Sequence, residues 1–116
     1  MRLFEAFAAN PSRHCEAVQE ALMRARHDQY QLRSDKLKVV FDRSVDEDIS
    51  VFCRIHRASG YLDALSFSRL EALAAELEAE LPSPDLIIYL SANETVLRQR
   101  MDVVGHPKLI VDSLVF

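Results

Sequence analysis

Two short, strongly apolar runs constrain this chain more than any other feature. Leu37-Lys38-Val39-Val40-Phe41 is rich in β-branched residues, and Leu86-Ile87-Ile88-Tyr89-Leu90 is apolar at every position. Runs of this length and kind suit buried strands, and the second suits a strand covered on both faces, as in parallel sheets. Helical patterns surround them. Asn10-Pro11 reads as an N-cap followed by proline at the first helical position. No glycine or proline interrupts Ser12 to Gln31, and Ala17, Ala21, Leu22 and Ala25 recur at helical spacing. A second helix is predicted over Val45–Ala58, with Ile49, Phe52, Cys53 and His56 on one stripe and Gly60 as its terminator. A third is predicted to begin at a Ser66 cap. It carries Leu70, Leu73, Ala74, Leu77 and Leu81 inward, Glu71, Glu76, Glu78 and Glu80 outward, and stops at Pro82 and Pro84. Asn93 caps a fourth, which runs to about Val104, is broken by Gly105 and Pro107, and precedes a last strand within Lys108–Asp112. Helix, strand, helix, helix, strand, helix, strand is an α/β order with parallel strands. The predicted architecture is a single domain over residues 1–116, with a reduced parallel sheet of about three strands and packed helices.

Composition narrows the function classes. With 116 residues, about half of them apolar, the chain has enough for one small core. The net charge of −4 and the absence of a basic stripe argue against a nucleic-acid partner. No apolar run reaches the length of a membrane span, and Glu5 inside the first ten residues makes a poor leader peptide, so a cytoplasmic protein is expected. Cys15 and Cys53 match no metal or redox spacing and are expected as reduced, semi-buried thiols. His14, His27, His56 and His106 show no ligand spacing either, so no metal site is predicted.

The chemistry concentrates after the first apolar run. Asp42-Arg43-Ser44 would stand at a strand's carboxyl end, where parallel sheets collect ligands. A carboxylate there can take a proton from a hydroxyl, and an arginine can clamp a phosphate with two parallel hydrogen bonds. The same residues also read as a plain helix start, with Ser44 as N-cap and Asp46, Glu47 and Asp48 favoured by the helix dipole.

The block from Asp42-Arg43-Ser44 to Asp48, with Phe52 following, resembles the signature of the deoxynucleoside kinase family. Pro84-Asp85-Leu86-Ile87-Ile88-Tyr89-Leu90 resembles that family's fourth strand. Asn93-Glu94-Thr95 and Arg100-Met101 resemble the helix that follows it. Gln19 and Arg26, seven residues apart, match a family glutamine and arginine that meet the base; the likeness covers roughly residues 10–101. It implies the P-loop kinase fold and transfer of a phosphoryl group from ATP, with Mg²⁺, to the 5′-hydroxyl of a deoxynucleoside. By the same resemblance Gln19, Arg26 and Asp48 would read the base and Phe52 would wall it. Asp42 and Arg43 would act catalytically near the 5′-hydroxyl and phosphate, and Arg100 would be a remnant of the phosphate lid. The phosphate loop Gly-x-x-x-x-Gly-Lys-Ser/Thr is not found in these residues, whose only glycines are Gly60 and Gly105. The expectation is therefore a kinase-like domain without its P-loop strand and lid. It is either a shortened enzyme or a non-catalytic nucleoside-binding remnant, a homodimer or a partner of an intact kinase subunit.

Overall fold

The computed structural model describes residues 2–33 and 38–105. The chain divides into two compact units, Met1–Pro82 and Ser83–Phe116.

The first unit is built on helices. α1 (Arg2–Ala9) occupies the stretch that reads in sequence only as a poor leader. α2 (Pro11–Gln31) starts as expected, with the Asn10 side-chain oxygen accepting from the Arg13 N–H at 3.2 Å. Asn10 also donates its own N–H to Ala6, so one residue both closes α1 and opens α2. α3 (Val45–Glu47) passes directly into a π-helical stretch (Asp48–Cys53) and then α4 (Arg54–Ala58). The N-terminus is capped by Ser44, whose hydroxyl accepts from the Glu47 N–H at 3.1 Å. Gly60, at φ +79°, turns the chain after α4. α5 (Ala64–Ala79) begins earlier than the sequence suggested. Asp63, not Ser66, caps it, and its carboxylate accepts from the Ser66 N–H at 2.7 Å. Both residues are good caps, but a carboxylate also gains from the dipole at the helix start.

The core gathers Cys15 and Met23 of α2, Val45, Cys53, Leu62, and Leu70, Ala74 and Leu77 of α5, with Phe7, Ile49, Tyr61, Phe67, Leu73 and Leu81 packed around it. The inward face of α5 is the predicted one. That of α2 is rotated: Ala17, Ala21 and Ala25 are exposed, and Cys15, Val18, Gln19 and Met23 are buried. Alanine has little side-chain area to remove from water, so at roughly 25 cal/mol per Å² the larger side chains decide which face turns inward. Polar ties join α2 to α5: Arg69 grips the Glu16 carboxylate with two hydrogen bonds of 2.6 and 2.8 Å, and His27 meets Glu80 at 2.8 Å.

Among the described residues the predicted parallel sheet is not present. No strand forms among them, and neither apolar run makes a ladder of backbone hydrogen bonds there. Lys38–Phe41 is irregular, with Val40 exposed, and Leu37 lies outside the described residues. Leu86, Ile87, Ile88, Tyr89 and Leu90 are all more than 70% exposed. The third expected strand, within Lys108–Asp112, lies outside the described residues. A run apolar on both faces becomes a strand only when neighbours take its N–H and C=O groups and cover both its sides. Strand-like composition therefore did not produce a sheet.

The second unit contains this exposed run and α6 (Glu94–Val104). Asn93 caps α6 as expected, accepting from the Val96 N–H at 2.9 Å. Gly105 closes it in the left-handed conformation at φ +75°.

Candidate nucleoside site

The site lies in the first unit, where α2 faces the π-helical stretch. Gln19 and Arg26 are seven residues apart, two helical turns, so both point from the same side of α2. A π-turn bonds residue i to i+5, which brings positions four and five apart into line. Asp48, Phe52 and Cys53 thus share one side of their stretch, with Asp48 and Cys53 buried and Phe52 half-buried. π-turns inside helices are frequent at functional sites.

The two elements meet in a charged pair. Arg26 Nε donates to Asp48 Oδ2 at 2.5 Å, and its Nη1 donates to the Asp42 carbonyl at 3.1 Å. Asp48 is 1% exposed, so a well-aligned partner is required to hold a charge there. Burial pushes its carboxyl above the ordinary carboxylate value, while the Arg26 hydrogen bond and the charges of Arg26 and Arg43 pull the other way. Gln19, 4% exposed, accepts at Oε1 from the Cys53 thiol at 3.7 Å.

Arg43 stands with φ +69°, a left-handed backbone that non-glycine residues rarely adopt. Its guanidinium lies 4.6 Å from the centre of the Phe52 ring. A cation over an aromatic face is favourable by about 0.5–1 kcal/mol at an exposed site, which offsets part of the backbone cost. Nearby, Tyr30 stacks on Phe41 with centroids 4.0 Å apart. An open hollow of about 540 Å³ is lined by Arg26, Gln29, Leu32, Val40, Phe41 and Asp42.

Of the residues singled out from sequence, Arg26 and Asp48 are in direct contact, as are Arg43 and Phe52. Asp42 meets the group through its backbone carbonyl, and its exposed side chain borders the hollow. Gln19 joins through Cys53. Arg100 is exposed on α6 in the second unit. Tyr30 and Cys53 join the residues of the site without having been expected there from sequence. Tyr30 could have been, since it follows Arg26 by four residues and so shares its face. Cys53 reads in sequence as a thiol on the apolar stripe with Ile49, Phe52 and His56, which marks it for burial but not for a site. Both thiols are free and fully buried rather than half-buried, and burial pushes each up to about 12.

Among the described residues, no helix is long and apolar enough to cross a membrane, and no three His, Cys, Asp or Glu side chains converge as metal ligands. No curated protein and no solved structure matches the chain. The family model described as deoxynucleoside kinase matches residues 2–108 of the 116. The match spans both units, from α1 to beyond α6, and the chain belongs to the deoxynucleoside kinase family.

Proposed function

We propose that the first unit is the nucleoside-recognising part of a deoxynucleoside kinase, and that the two units belong to one kinase-like domain. The observation that carries this reading is the Arg26–Asp48 pair: Arg26 also lines the hollow, the buried Gln19 shares its side of α2, and Phe52 shares the side of the π-helical stretch that carries Asp48. These groups suit a base. A carboxamide offers donor and acceptor together, and an arginine–aspartate pair can open towards a ligand edge that supplies both. Sites of this kind discriminate strongly, because a wrong base leaves buried polar groups unpaired. In this reading Gln19, Arg26, Asp48 and Phe52 bind the base, and Asp42 and Arg43 act near the 5′-hydroxyl. Arg100 belongs to the phosphate side, and the setting is cytoplasmic.

Deoxynucleoside kinases use ATP and Mg²⁺. The residues of this chain do not fit the ATP phosphates. A phosphate loop needs closely spaced glycines whose N–H groups wrap the anion, followed by a lysine. Gly60 and Gly105 lie far apart and neither is followed by lysine. Nucleoside binding is therefore the activity proposed for the chain by itself, with phosphoryl transfer dependent on groups beyond these residues.

Titration with the four deoxynucleosides, alongside an ATP- and Mg²⁺-dependent assay for monophosphate, tests this. The expected result is saturable binding of at least one nucleoside, weakened at least tenfold by Arg26→Ala, and no product from the chain alone. A folded sample that binds none of the four overturns the reading. Product that disappears with Arg43→Ala would make the chain an enzyme without a recognisable phosphate loop.

The exposed Leu86–Leu90 run favours a second role, pairing with another chain as a homodimer or with a complete kinase subunit. Sedimentation that returns a monomer at all concentrations, with no complex on adding a full-length family member, rejects it.

A further inference from the structure

A glutamine carboxamide has two orientations, related by a half-turn, that exchange its acceptor and donor ends at almost no change in shape. In a base-reading site that choice decides which ligand edge is accepted. We propose that Cys53 is a positioning residue whose thiol holds the Gln19 amide in one of these orientations and so sets the base preference. The inference rests on the nucleoside-site reading above.

Cys53 Sγ lies 3.7 Å from Gln19 Oε1, and both side chains are buried. With its pKa pushed up to about 12 by burial, Cys53 remains an S–H donor at neutral pH. In the present orientation the thiol faces an oxygen that accepts well. With the amide reversed, an N–H₂ group would face a sulfur, which accepts weakly. Oε1 is thus engaged on the protein side, and Nε2 is left to donate to an acceptor on the base. The placement comes from the π-turn, which lines Cys53 up with Asp48 rather than carrying it further round the helix. Cys15, the other buried thiol, shares the core with Cys53 but makes no such bond among the described residues, so its truncation controls for lost packing beside Cys53.

The test compares wild type, Cys53→Ala, Cys53→Ser and Cys15→Ala. Affinities for the four deoxynucleosides are measured by calorimetry, and the Gln19 side-chain NH₂ signals are followed by ¹⁵N NMR in the ligand-free protein. The S–H···O contact is weak, so Cys53→Ala is expected to narrow the ratio between the best and worst nucleoside by about two- to fivefold. It should also speed exchange of the Gln19 NH₂ signals. Cys53→Ser, which keeps a donor on the same carbon, should restore most of both effects, and Cys15→Ala should cause neither. An unchanged ratio in Cys53→Ala with binding retained overturns the role of Cys53 alone. Equal weakening for all four nucleosides that serine does not rescue also overturns it, reducing Cys53 to packing. Absence of binding by the wild-type chain overturns the nucleoside-site reading and the selectivity role with it.

Discussion

The helical unit up to Pro82 and the segment after it contain equally apolar sequences, and they treat them in opposite ways. In the first, Met23, Leu62 and Leu70 are at most 2% exposed. In the second, the five residues of Leu86–Leu90 are all open, and no described residue from Ser83 onward is buried. The difference lies in how each element is completed. A helix satisfies its own backbone and needs a partner for only one stripe of side chains, and α1, α2, the π-helical stretch and α5 supply that to each other. A two-faced strand needs partners for its backbone on both edges and for its side chains on both faces. Hydrophobicity alone did not decide burial; the number of neighbours each element requires did.

The largest test of this contrast is a pair of truncations. Met23→Ala should cost about 2–5 kcal/mol in urea unfolding, the usual range for emptying a filled core position. Ile88→Ala, at a position 72% exposed, should shift the same transition by no more than about 0.5 kcal/mol. Equal costs would mean that the apolar run is covered in solution, and would break the comparison.

Next in size is the charged pair. Arg26→Ala leaves the Asp48 carboxylate buried without its partner and should cost about 3 kcal/mol. The companion change Arg26→Met with Asp48→Leu should recover much of that loss, because it removes the stranded charge as well. If the double variant is no more stable than Arg26→Ala, the pair supports the fold through packing rather than charge.

Arg43 gives a smaller effect with a defined sign. At φ +69°, glycine is the comfortable residue. Arg43→Gly should therefore be more stable than Arg43→Ala by about 1 kcal/mol in denaturant unfolding. Equal stabilities would show that the left-handed turn before α3 relaxes once the contact with Phe52 is removed.

The smallest effect is in pH. His56 is buried against Phe7 and Tyr61, its Nδ1 has no hydrogen-bond partner among the described residues, and burial lowers its pKa from 6.5. The unfolded chain then binds the proton more readily, so His56 contributes stability that is complete above pH 6.5 and is lost as pH falls through its folded value. Asp48 has the opposite sign, because its folded pKa is raised above 3.8. The folded state binds the extra proton, and stability falls as pH rises through the window from 3.8 to that raised value. Urea midpoints followed downward from neutral pH should decline near and below 6.5, and His56→Phe should flatten that decline. A decline that persists unchanged in His56→Phe would assign it to another group.

Much of this was legible before any tertiary contact was known. The caps at Asn10, Ser44 and Asn93, the terminators Gly60 and Gly105, the inward stripe of α5 and the family signature through Asp42-Arg43-Ser44 and Asp48 are local patterns. Each rests on hydrogen bonds or spacing within a few residues, so the chain itself determined them. Gln19 and Arg26 shared a face by the same arithmetic. Three-dimensional packing decided the rest. It turned Cys15, Val18 and Met23 inward in place of the alanines, drew Arg26 onto Asp48 and set Cys53 against Gln19. It also left Lys38–Phe41 and Leu86–Leu90 without a sheet. The reason is one of range: a cap depends on residues three positions away, whereas a strand or a buried charge depends on partners that distant segments must provide.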